Sequence, residues 1–508
     1  MIFVSIDTFA AGHSSLYGYG RRTTPRLEAL AAEAVTFRRC KANAPYTLQS
    51  YMSQLTGLYP AAHTIQGAGR PEGVRDTHLI AWEHYRIADG RWTLAEALRA
   101  AGYRTAAFVD NPWLAPGFGF AQGFDHFDAS AAAIHGLDPE GGVRHVLPRA
   151  REWLAERAPG EPFFVFLQFL DLHTPYMARE PWKSAFAGDG LVDAEHEAGV
   201  TPSKINLFDH VPWMAARGLY ERARDMPERM RTAPLVDAYD AKVLEMDQHL
   251  GELFDHLRAR GLYDEAVLIV SADHGESMLE HRYFFNHGLL YEECLHVPLI
   301  VRLPGGRHGG RVVEEPVQLV DLYPTVLELA GLDPDRAHLH GRSLAPALAG
   351  APLEPRPILA EGGVQTQRSL ELDGWKLVES YPGEGEFRVM LTHPRLGGRF
   401  QAEVVPELER LAAAAEERGE AFDLDAELKA SLRRHLGGPV HELYHLPDDP
   451  TELRDRSAEE AGRVAALVEI LHRERERALA AARAVESEGS ADALSAEARA
   501  ELERLGYF

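Results

Sequence analysis

Residues 2–8 read IFVSIDT and residues 266–276 read AVLIVSADHGE, and these two stretches decide the fold. Each begins with a short apolar run rich in β-branched residues, which is typical of a strand buried in a parallel sheet. Each run ends at an aspartate, Asp7 or Asp273, and open α/β sheets bind their ligands where such strands end. His274 adds an imidazole to the two carboxylates, so the pattern predicts a divalent-metal site. The alternative is that the two aspartates only cap the loops that follow.

Strand-like runs alternate with amphipathic helical patterns through most of the first two-thirds of the chain. We predict strands at Ile2–Ile6, Arg104–Val109, Phe163–Phe169, Ala266–Val270 and Pro298–Val301. We predict helices at Arg26–Ala34, Leu94–Ala101, Arg149–Arg157, Asp237–Arg260 and Leu319–Ala330. This alternation is typical of βαβ units, in which helices join parallel strands. It predicts an α/β fold whose large, mainly parallel sheet is covered by helices on both faces.

The pattern of predicted elements changes near Ile358. This change predicts a larger α/β domain over residues 1–357 and a smaller C-terminal α+β subdomain over residues 358–508. In the subdomain, Ser369–Glu379 and Pro382–Thr392 are predicted to form a hairpin of a small antiparallel sheet. The other predicted elements there are a strand at Val440–Tyr444, charged helices within residues 401–436 and a helical tail over residues 459–508.

Met177–Pro234 interrupts the alternation of strands and helices. The segment is long and polar and contains Trp182 and Trp213. Long irregular insertions beside a site are often lids or substrate loops. We therefore expect either a lid or a surface excursion that does not contact substrate, and the sequence leaves both open.

The charge of the chain limits its partners. The 508 residues carry a formal net charge of −24, which would repel nucleic acids and anionic membrane surfaces. A small anionic substrate is still compatible with this charge, because a bound metal dominates the field inside a pocket. No apolar run reaches transmembrane length, so we expect no membrane anchor. A homo-oligomer is left open.

Cysteine usage indicates the compartment. The two cysteines, Cys40 and Cys294, cannot build a disulfide framework, which favours a reducing environment. The strand predicted from Ile2 leaves no space for a signal peptide. We therefore expect a cytoplasmic protein, with a leader removed earlier as the alternative.

Residues 44–60 read APYTLQSYMSQLTGLYP, and here the sequence resembles the sulfatase branch of the alkaline phosphatase superfamily. The family motif has a nucleophile, then a serine, then Leu-Thr-Gly-Leu-Tyr-Pro, and Ser50 and residues 55–60 match it. Thr47 falls at the nucleophile position. The resemblance implies a metal-dependent hydrolase of phosphoric or sulfuric esters, built on the fold predicted above.

The resemblance extends over nearly the whole chain. The matching elements, in order, are Asp7-Thr8, His13 to Gly20, Asp171 to Tyr176, His287-Gly288, Tyr291 to Glu293, Val297 to Ile300, Gly341 to Leu344 and Glu442 to Pro450. Each element is weak by itself. Their order is specific for the family, although not for a substrate.

Several positions depart from the family pattern. Most sulfatases carry a cysteine or serine that is converted to formylglycine, followed four residues later by arginine, where this chain has Thr47 and Tyr51. We therefore expect no formylglycine. Asn286 stands where a lysine is common, and Thr8 stands where many sulfatases have a second metal-side carboxylate. The last substitution favours one metal ion rather than two.

The resemblance also implies roles for individual residues. The implied metal ligands are Asp7, Asp273, His274 and the hydroxyl of Thr47. A metal at that hydroxyl would activate it as a nucleophile. His173 and His287 are the catalytic candidates for protonating the leaving group and stabilising the equatorial oxygens. The substrate-binding candidates are Gln49, Tyr51, Asn286 and His63. The donor set fits one Mn, Mg or Ca ion, with Zn as a further candidate.

The departures also bear on the substrate. Arginine and lysine would make charge-assisted hydrogen bonds to an anionic ester, and these are about twice as strong as neutral ones. A site without them should favour a small ester with less negative charge, such as a phosphodiester or a phosphonate monoester. Three alternatives stay open: a transferase that passes the group from Thr47 to an alcohol, a formylglycine-independent sulfatase, and a non-catalytic binding protein.

Overall fold

The computed structural model describes residues 1–63, 86–87, 91–131, 142–158, 160–174, 176–192, 231–278, 280–281, 287–334, 339–362, 367–381 and 400–486. The described strands form two sheets. The first has nine strands in the order β4-β3-β5-β1-β6-β7-β2-β8, with β9 paired to β2. The second has four strands in the order β10-β11-β12-β13.

The bounds of the described elements are as follows. The strands of the first sheet are β1 Ile2–Ile6, β2 Val35–Lys41, β3 Arg104–Phe108, β4 His126–Asp128, β5 Phe163–Phe169, β6 Leu268–Ala272, β7 His296–Arg302, β8 Arg311–Val313 and β9 Val317–Gln318. The strands of the second are β10 Ile358–Gly362, β11 Gln367–Leu372, β12 Trp375–Ser380 and β13 Val440–His445. The α-helices are α1 Pro25–Ala31, α2 Thr47–Thr56, α3 Pro60–His63, α4 Leu94–Ala100, α5 Val143–Ala155, α6 Ala233–Ala259, α7 Glu292–Leu295, α8 Leu322–Leu329, α9 Ala345–Leu348, α10 Val405–Arg418, α11 Leu424–Leu436 and α12 Ala461–Glu486.

The predicted α/β fold with a mainly parallel large sheet is confirmed. Strands β4, β3, β5, β1 and β6 are parallel neighbours, and β7 runs antiparallel to β6 and β2. Every residue of β1, β5 and β6 is buried. Parallel strands covered on both faces read as continuous apolar runs, which is why the sequence revealed them.

The five strands predicted in the first sheet differ from the observed strands only at their ends, whereas β2, β4, β8 and β9 were not predicted. Two strands, β1 and β5, lie where they were predicted. Strand β6 begins and ends two residues later than predicted, because its pairing with β1 starts at Leu268, opposite Ile2. As a result Asp273 directly follows β6, just as Asp7 directly follows β1.

Helix α2 carries the motif of residues 44–60. All of its ten residues are buried, and it ends at Gly57. Gly57 has φ +70°, and a Cβ built there would lie 2.8 Å from Leu339 Cδ2. Glycine is therefore required both for the left-handed backbone and for the close packing. The Leu-Thr-Gly of the motif is thus the end of a buried helix.

The small sheet is antiparallel and differs from prediction in its hairpin. The two-residue turn Asp373-Gly374 joins β11 to β12, with φ +51° and +78°. The predicted hairpin instead placed Ser369–Glu379 in one strand, and its second strand, Pro382–Thr392, lies outside the described residues. An Asp-Gly pair favours a two-residue turn, because both positions need positive φ. Strand β13 confirms the strand predicted at Val440–Tyr444.

Two regions complete the fold. Helices α10 and α11 lie within residues 401–436, where charged helices were predicted, and α12 forms the first part of the helical tail, whose residues 487–508 lie outside the described part. Most of the insertion Met177–Pro234 also lies outside it, so its role as a lid is still a prediction. Among the described helices, none is long and apolar enough to cross a membrane.

Candidate metal-dependent active site

Two parallel neighbours of the large sheet bring three metal-ligating side chains together. Asp7 follows β1, and Asp273 and His274 follow β6. One ligand atom from each lies within 4.8 Å of the others, and all three residues are buried. The parallel pairing explains this convergence, because the carboxyl ends of adjacent parallel strands meet at one edge of the sheet.

Thr47 joins this group from the first turn of α2. Its Oγ1 lies 3.4 Å from Asp7 Oδ2 and 3.3 Å from His274 Nε2. Thr47 is the first residue of the helix. The N-terminal end of a helix carries partial positive charge and unpaired backbone N–H groups, both of which favour an anion beside this hydroxyl.

The hydrogen bonds of the two aspartates leave one oxygen of each available. Asp273 Oδ1 accepts hydrogen bonds from the backbone N–H of Thr8 at 3.2 Å and of His274 at 2.7 Å. Asp7 Oδ1 and Asp273 Oδ2 are buried and accept no hydrogen bond from any residue that the structure describes. A buried carboxylate oxygen without a donor is costly unless a cation meets it. These two oxygens therefore fit a divalent cation.

The backbone beside the candidate metal ligands has an unusual conformation. Thr8 has φ +53°, which is uncommon for a β-branched residue, and its N–H contacts Asp273 in this conformation. Gly275 follows His274, and a Cβ at Gly275 would lie 2.1 Å from the carbonyl oxygen of Glu293. The Gly of Asp-His-Gly-Glu is therefore fixed by the close approach of another chain segment.

His274 is arranged as a neutral metal ligand. Its Nδ1 lies 2.9 Å from the carbonyl oxygen of Gly275, so Nδ1 carries the proton and Nε2 presents its lone pair. Burial, followed by the neighbouring His287, lowers the pKa of His274 well below its usual value. A backbone carbonyl that fixes the tautomer in this way is a common partner of metal-binding histidines.

Burial dominates the electrostatics of the two carboxylates. It raises the pKa of Asp7 to about 6, against the opposing effects of His173 and of the hydrogen bond from Asn111. Burial and the proximity of Asp7 raise the pKa of Asp273 well above its usual value. Two buried like charges repel each other, and a divalent cation would relieve that repulsion. The charge balance therefore supports the metal site that the oxygen atoms suggest.

Both predicted catalytic histidines lie beside this group. The ring centroids of His274 and His287 are 4.4 Å apart, and those of His173 and His287 are 5.5 Å apart. His287 Nδ1 lies 3.3 Å from Glu276 Oε1. The Nδ1 of His173 lies 2.9 Å from the Thr174 carbonyl oxygen, so its Nε2 is the nitrogen left for other partners. His287 therefore lies beside His274, whose Nε2 contacts Thr47 Oγ1, and His173 lies next to His287.

The predicted substrate-binding residues have less uniform positions. Gln49 and Tyr51 lie in α2 and are 2% and 0% exposed. Tyr51 packs edge-on against a core phenylalanine. His63 is fully buried and lies 3.0 Å from Ser53 Oγ. Asn286 lies outside the described residues, so its position is still a prediction. None of the three described side chains presents an exposed surface for substrate.

Two amide residues of the site were not among the sequence candidates. Asn111 Nδ2 donates a hydrogen bond to Asp7 Oδ2 at 2.6 Å, and Gln168 Nε2 lies 3.4 Å from the same oxygen. Asn111 lies just beyond the end of β3, at the edge of the sheet that holds Asp7. The rule that identified Asp7 could therefore have identified Asn111. Gln168 lies inside a buried strand, where its polar side chain among apolar neighbours was the available signal.

The chain is similar in sequence to known proteins. The sequence profile of the family described as Sulfatase matches residues 1–332. The chain is 26% identical over 390 residues to the multifunctional alkaline phosphatase superfamily protein PehA of Trinickia caryophylli, covering 64% of this chain and 71% of PehA. It is 42% identical over 355 residues to human (Homo sapiens) arylsulfatase K, covering 63% of this chain and 61% of that protein.

Solved structures share the fold. The phosphonate monoester hydrolase of Agrobacterium radiobacter superposes with a TM-score of 0.62 at 19% identity, covering 94% of this chain and 95% of that one. A protein solved in complex with its substrate D-glucosamine-2-N,6-O-disulfate superposes with a TM-score of 0.65 at 17% identity, covering 94% and 97%.

Proposed function

Because this chain belongs to the sulfatase family and is therefore an ester hydrolase, we propose that it cleaves phosphodiesters or phosphonate monoesters with Thr47 as its nucleophile. The observation that carries the proposal is the position of Thr47 Oγ1, 3.3 Å from His274 Nε2 and 3.4 Å from Asp7 Oδ2. A hydroxyl at that point contacts two of the candidate metal ligands, so it would lie beside a cation that they bind. The residues that would hold the cation are Asp7, Asp273 and His274.

The reaction proceeds in two displacements at phosphorus. A divalent cation at this site would lower the pKa of the Thr47 hydroxyl and polarise the ester. Thr47 Oγ1 releases its proton to solvent and forms a bond to phosphorus, and the bond to the leaving oxygen breaks with its electron pair on that oxygen. His173 is the better placed residue to donate a proton to the departing alkoxide, because burial lowers the pKa of His287 to about 3 and makes His287 a weaker proton donor. Water then attacks phosphorus and the bond to Oγ1 breaks. One proton of that water passes to Oγ1, and the histidine takes up from solvent the proton that Thr47 released.

The charge of the site supports a substrate with little negative charge. Tyr51 stands four residues after Thr47, where many sulfatases have arginine, and Asn286 stands where lysine is common. The first turn of α2 offers only partial positive charge to the ester oxygens. A phosphodiester or phosphonate monoester carries one negative charge at the reacting centre. The fold shared with a phosphonate monoester hydrolase is compatible with this choice.

A sulfate ester is the second candidate substrate. The identity of 42% to human arylsulfatase K favours it. A threonine ester of sulfate must be hydrolysed directly, whereas a formylglycine hydrate can expel sulfate without attack at sulfur. Thr47 therefore makes sulfate the less favoured substrate. Both candidates use the same residues, so the choice between them requires activity measurements.

The test is an activity panel on the purified protein. Matched aryl phosphodiester, phosphonate monoester, phosphomonoester and sulfate ester substrates are assayed with Mn, Zn, Mg and Ca. We expect metal-dependent hydrolysis of the first two, and a fall of roughly 1,000-fold or more in Thr47→Ala. Thr56→Val is the matched control, because it removes a hydroxyl at the other end of the same helix, where Oγ1 bonds only to the Met52 carbonyl.

The possible results of this panel separate the substrate class, the nucleophile and the type of reaction. Turnover of the sulfate ester alone would contradict the charge argument and place sulfate first. Equal activity in Thr47→Ala and the native protein would rule out Thr47 as nucleophile. Inactivity of both proteins toward all four substrates would contradict hydrolysis of these ester classes, and assays with added alcohols would then test transfer.

A further inference from the structure

We propose that Asn111 and Gln168 are positioning residues that hold Asp7 so that its Oδ1 faces the metal. The inference deepens the proposed site, and it rests on the proposed function only in taking Asp7 as a metal ligand. Neither amide belongs to the sequence motifs that suggested the site. Both are buried, with exposed fractions of 1% for Asn111 and 0% for Gln168.

Gln168 bridges three strands at the edge of the sheet. It lies in β5, which is the strand between β3 and β1. Its Oε1 accepts hydrogen bonds from the backbone N–H of Asp110 at 3.3 Å and of Asn111 at 3.1 Å. Its Nε2 lies 3.4 Å from Asp7 Oδ2. One side chain therefore ties the loop after β3 to the carboxylate after β1.

Asn111 makes the shorter contact with the carboxylate. Its Oδ1 accepts a hydrogen bond of 2.9 Å from the backbone N–H of Trp113, which caps the short helical turn that follows. Its Nδ2 donates to Asp7 Oδ2 at 2.6 Å. The side-chain oxygen of each amide faces backbone N–H groups, which can only donate. This assigns the amide orientation, so the NH₂ group of each residue must point toward Asp7.

The two carboxylate oxygens of Asp7 therefore have different partners. Oδ2 receives the amide donors, whereas Oδ1 receives no hydrogen bond from the described residues. The donors are neutral, so they orient the carboxylate without cancelling its charge toward a cation. A lysine or arginine in their place would orient the carboxylate and weaken its attraction for the metal. Partners of this kind commonly affect metal affinity.

The competing role for Asn111 is direct contact with the ester. Its position at the same edge of the sheet makes that role a fair alternative. The two roles predict different measurements, because a residue that positions a ligand acts on metal affinity in the absence of substrate. A residue that binds substrate acts on KM with metal affinity unchanged.

The test measures Mn²⁺ affinity of the full-length protein after removal of bound metal, by titration calorimetry without substrate. Asn111→Ser is the main variant, because serine is also a good cap for the Trp113 N–H but is too short to reach Asp7. We expect its Kd for Mn²⁺ to rise about 10- to 100-fold, and the stabilisation by Mn²⁺ at a fixed concentration to shrink accordingly. Gln168→Leu tests the second amide with the same expectation.

Gln318→Ala is the matched control. Gln318 is also a fully buried amide that bridges backbone and side chains, but its partners are Asn43, Tyr59 and Leu359. We expect this variant to lose stability and keep the native Kd. An Mn²⁺ Kd within twofold of native in both Asn111→Ser and Gln168→Leu would overturn the proposal, and a raised KM in Asn111→Ser would then assign it to substrate.

Two further outcomes are separable from the proposed function. If the native protein binds Mn²⁺ but hydrolyses no ester, the proposed function is contradicted, whereas the positioning role of the two amides is not. Native protein with no saturable divalent-metal binding would overturn the inference. Unfolding of each variant is followed in chelator, so that a general loss of structure is distinguished from a loss of metal affinity. If Asn111→Ser does not fold, the Kd of Gln168→Leu decides.

Discussion

Glu276 Oε1 lies 3.3 Å from Nδ1 of His287, and Glu276 Oε2 accepts a hydrogen bond of 3.0 Å from the Tyr176 hydroxyl. Glu276 is almost fully buried. The carboxylate therefore contacts the His287 ring at Nδ1 and helps to orient it. The Asp-His-Gly-Glu segment and His287, the proposed catalytic histidine, are thus linked through Glu276, which is not one of the three grouped candidate metal ligands.

Replacing Glu276 should lower catalysis more than substrate binding. We expect Glu276→Ala to reduce kcat about 10- to 100-fold, because a histidine that is no longer oriented transfers protons poorly. KM should change less than threefold. Glu276→Gln keeps a side-chain oxygen and should recover part of the loss, and Tyr176→Phe should have a smaller effect. Native kcat in Glu276→Ala would argue against a catalytic role for His287.

Replacing Gly57 should destabilise the fold. Gly57→Ala places a Cβ at φ +70° and 2.8 Å from Leu339 Cδ2. We expect it to lower the free energy of unfolding by about 2–4 kcal/mol, from backbone strain and overpacking together. Gly18→Ala is the matched control, since φ is +101° but nothing lies within 4 Å of the new Cβ. Equal losses, measured by chemical denaturation, would show that the packing contributes nothing.

His281 should make stability fall at alkaline pH. Its Nδ1 lies 2.8 Å from Glu293 Oε1, and its Nε2 lies 3.0 Å from the Glu452 carbonyl oxygen. Burial lowers the pKa of His281, but the Glu293 carboxylate outweighs burial and raises the pKa to about 9. The folded state thus binds the proton more tightly than the unfolded state. The resulting stabilisation is complete below pH 6.5 and is lost as pH rises through 9.

The size of this stabilisation follows from the shift in the pKa of His281. A rise from the usual value of 6.5 to about 9 corresponds to about 3 kcal/mol. We expect the unfolding free energy of the native protein to fall by that order between pH 6.5 and 9.5, and the fall to be smaller in His281→Gln. His126→Gln, at an exposed site, is the control. If the unfolding free energy of His281→Gln depended on pH as steeply as that of the native protein, His281 would not be the cause of the effect.

Glu379 should anchor helix α12 to the small sheet. It accepts hydrogen bonds from His472 at 3.0 Å, His441 at 3.1 Å and Tyr381 at 2.8 Å. Burial raises its pKa, but these hydrogen bonds outweigh burial and lower the pKa to about 2. Its stabilisation is therefore present above pH 4.5 and is lost as pH falls toward 2. Glu379→Ala should speed amide hydrogen exchange in α12, whereas Glu474→Ala, within that helix, should not.

The predicted fold succeeded where local sequence carries the structural signal. The runs of β1 and β5 are apolar because both faces of those strands are covered, and the sequence shows this directly. Asp7 and Asp273 could be placed at one edge for the same reason. The hairpin of the small sheet was misplaced although its signal, Asp373-Gly374, was present in the sequence. There the turn chemistry, rather than the alternation of apolar residues, decides the register.

The amides around Asp7 depend on information that is not local. Gln168 reaches both Asp7 and the loop after β3 because β5 lies between β1 and β3, and this order does not follow the order along the chain. Nothing in the segment around Gln168 specifies its neighbours. Burial of Tyr51 and His63 has a similar origin, since it depends on how the short helices pack against the sheet.

The order of strands also determines when the site can form. Strand β1 lies between β5 and β6, so its two hydrogen-bonding partners are made long after it during synthesis. Thr8, which follows Asp7, donates a backbone hydrogen bond to Asp273, which lies 265 residues further along the chain. Contacts of such long range form slowly. The ribosome must therefore release the chain through His274, with strands β1 to β6, before the three candidate metal ligands can meet.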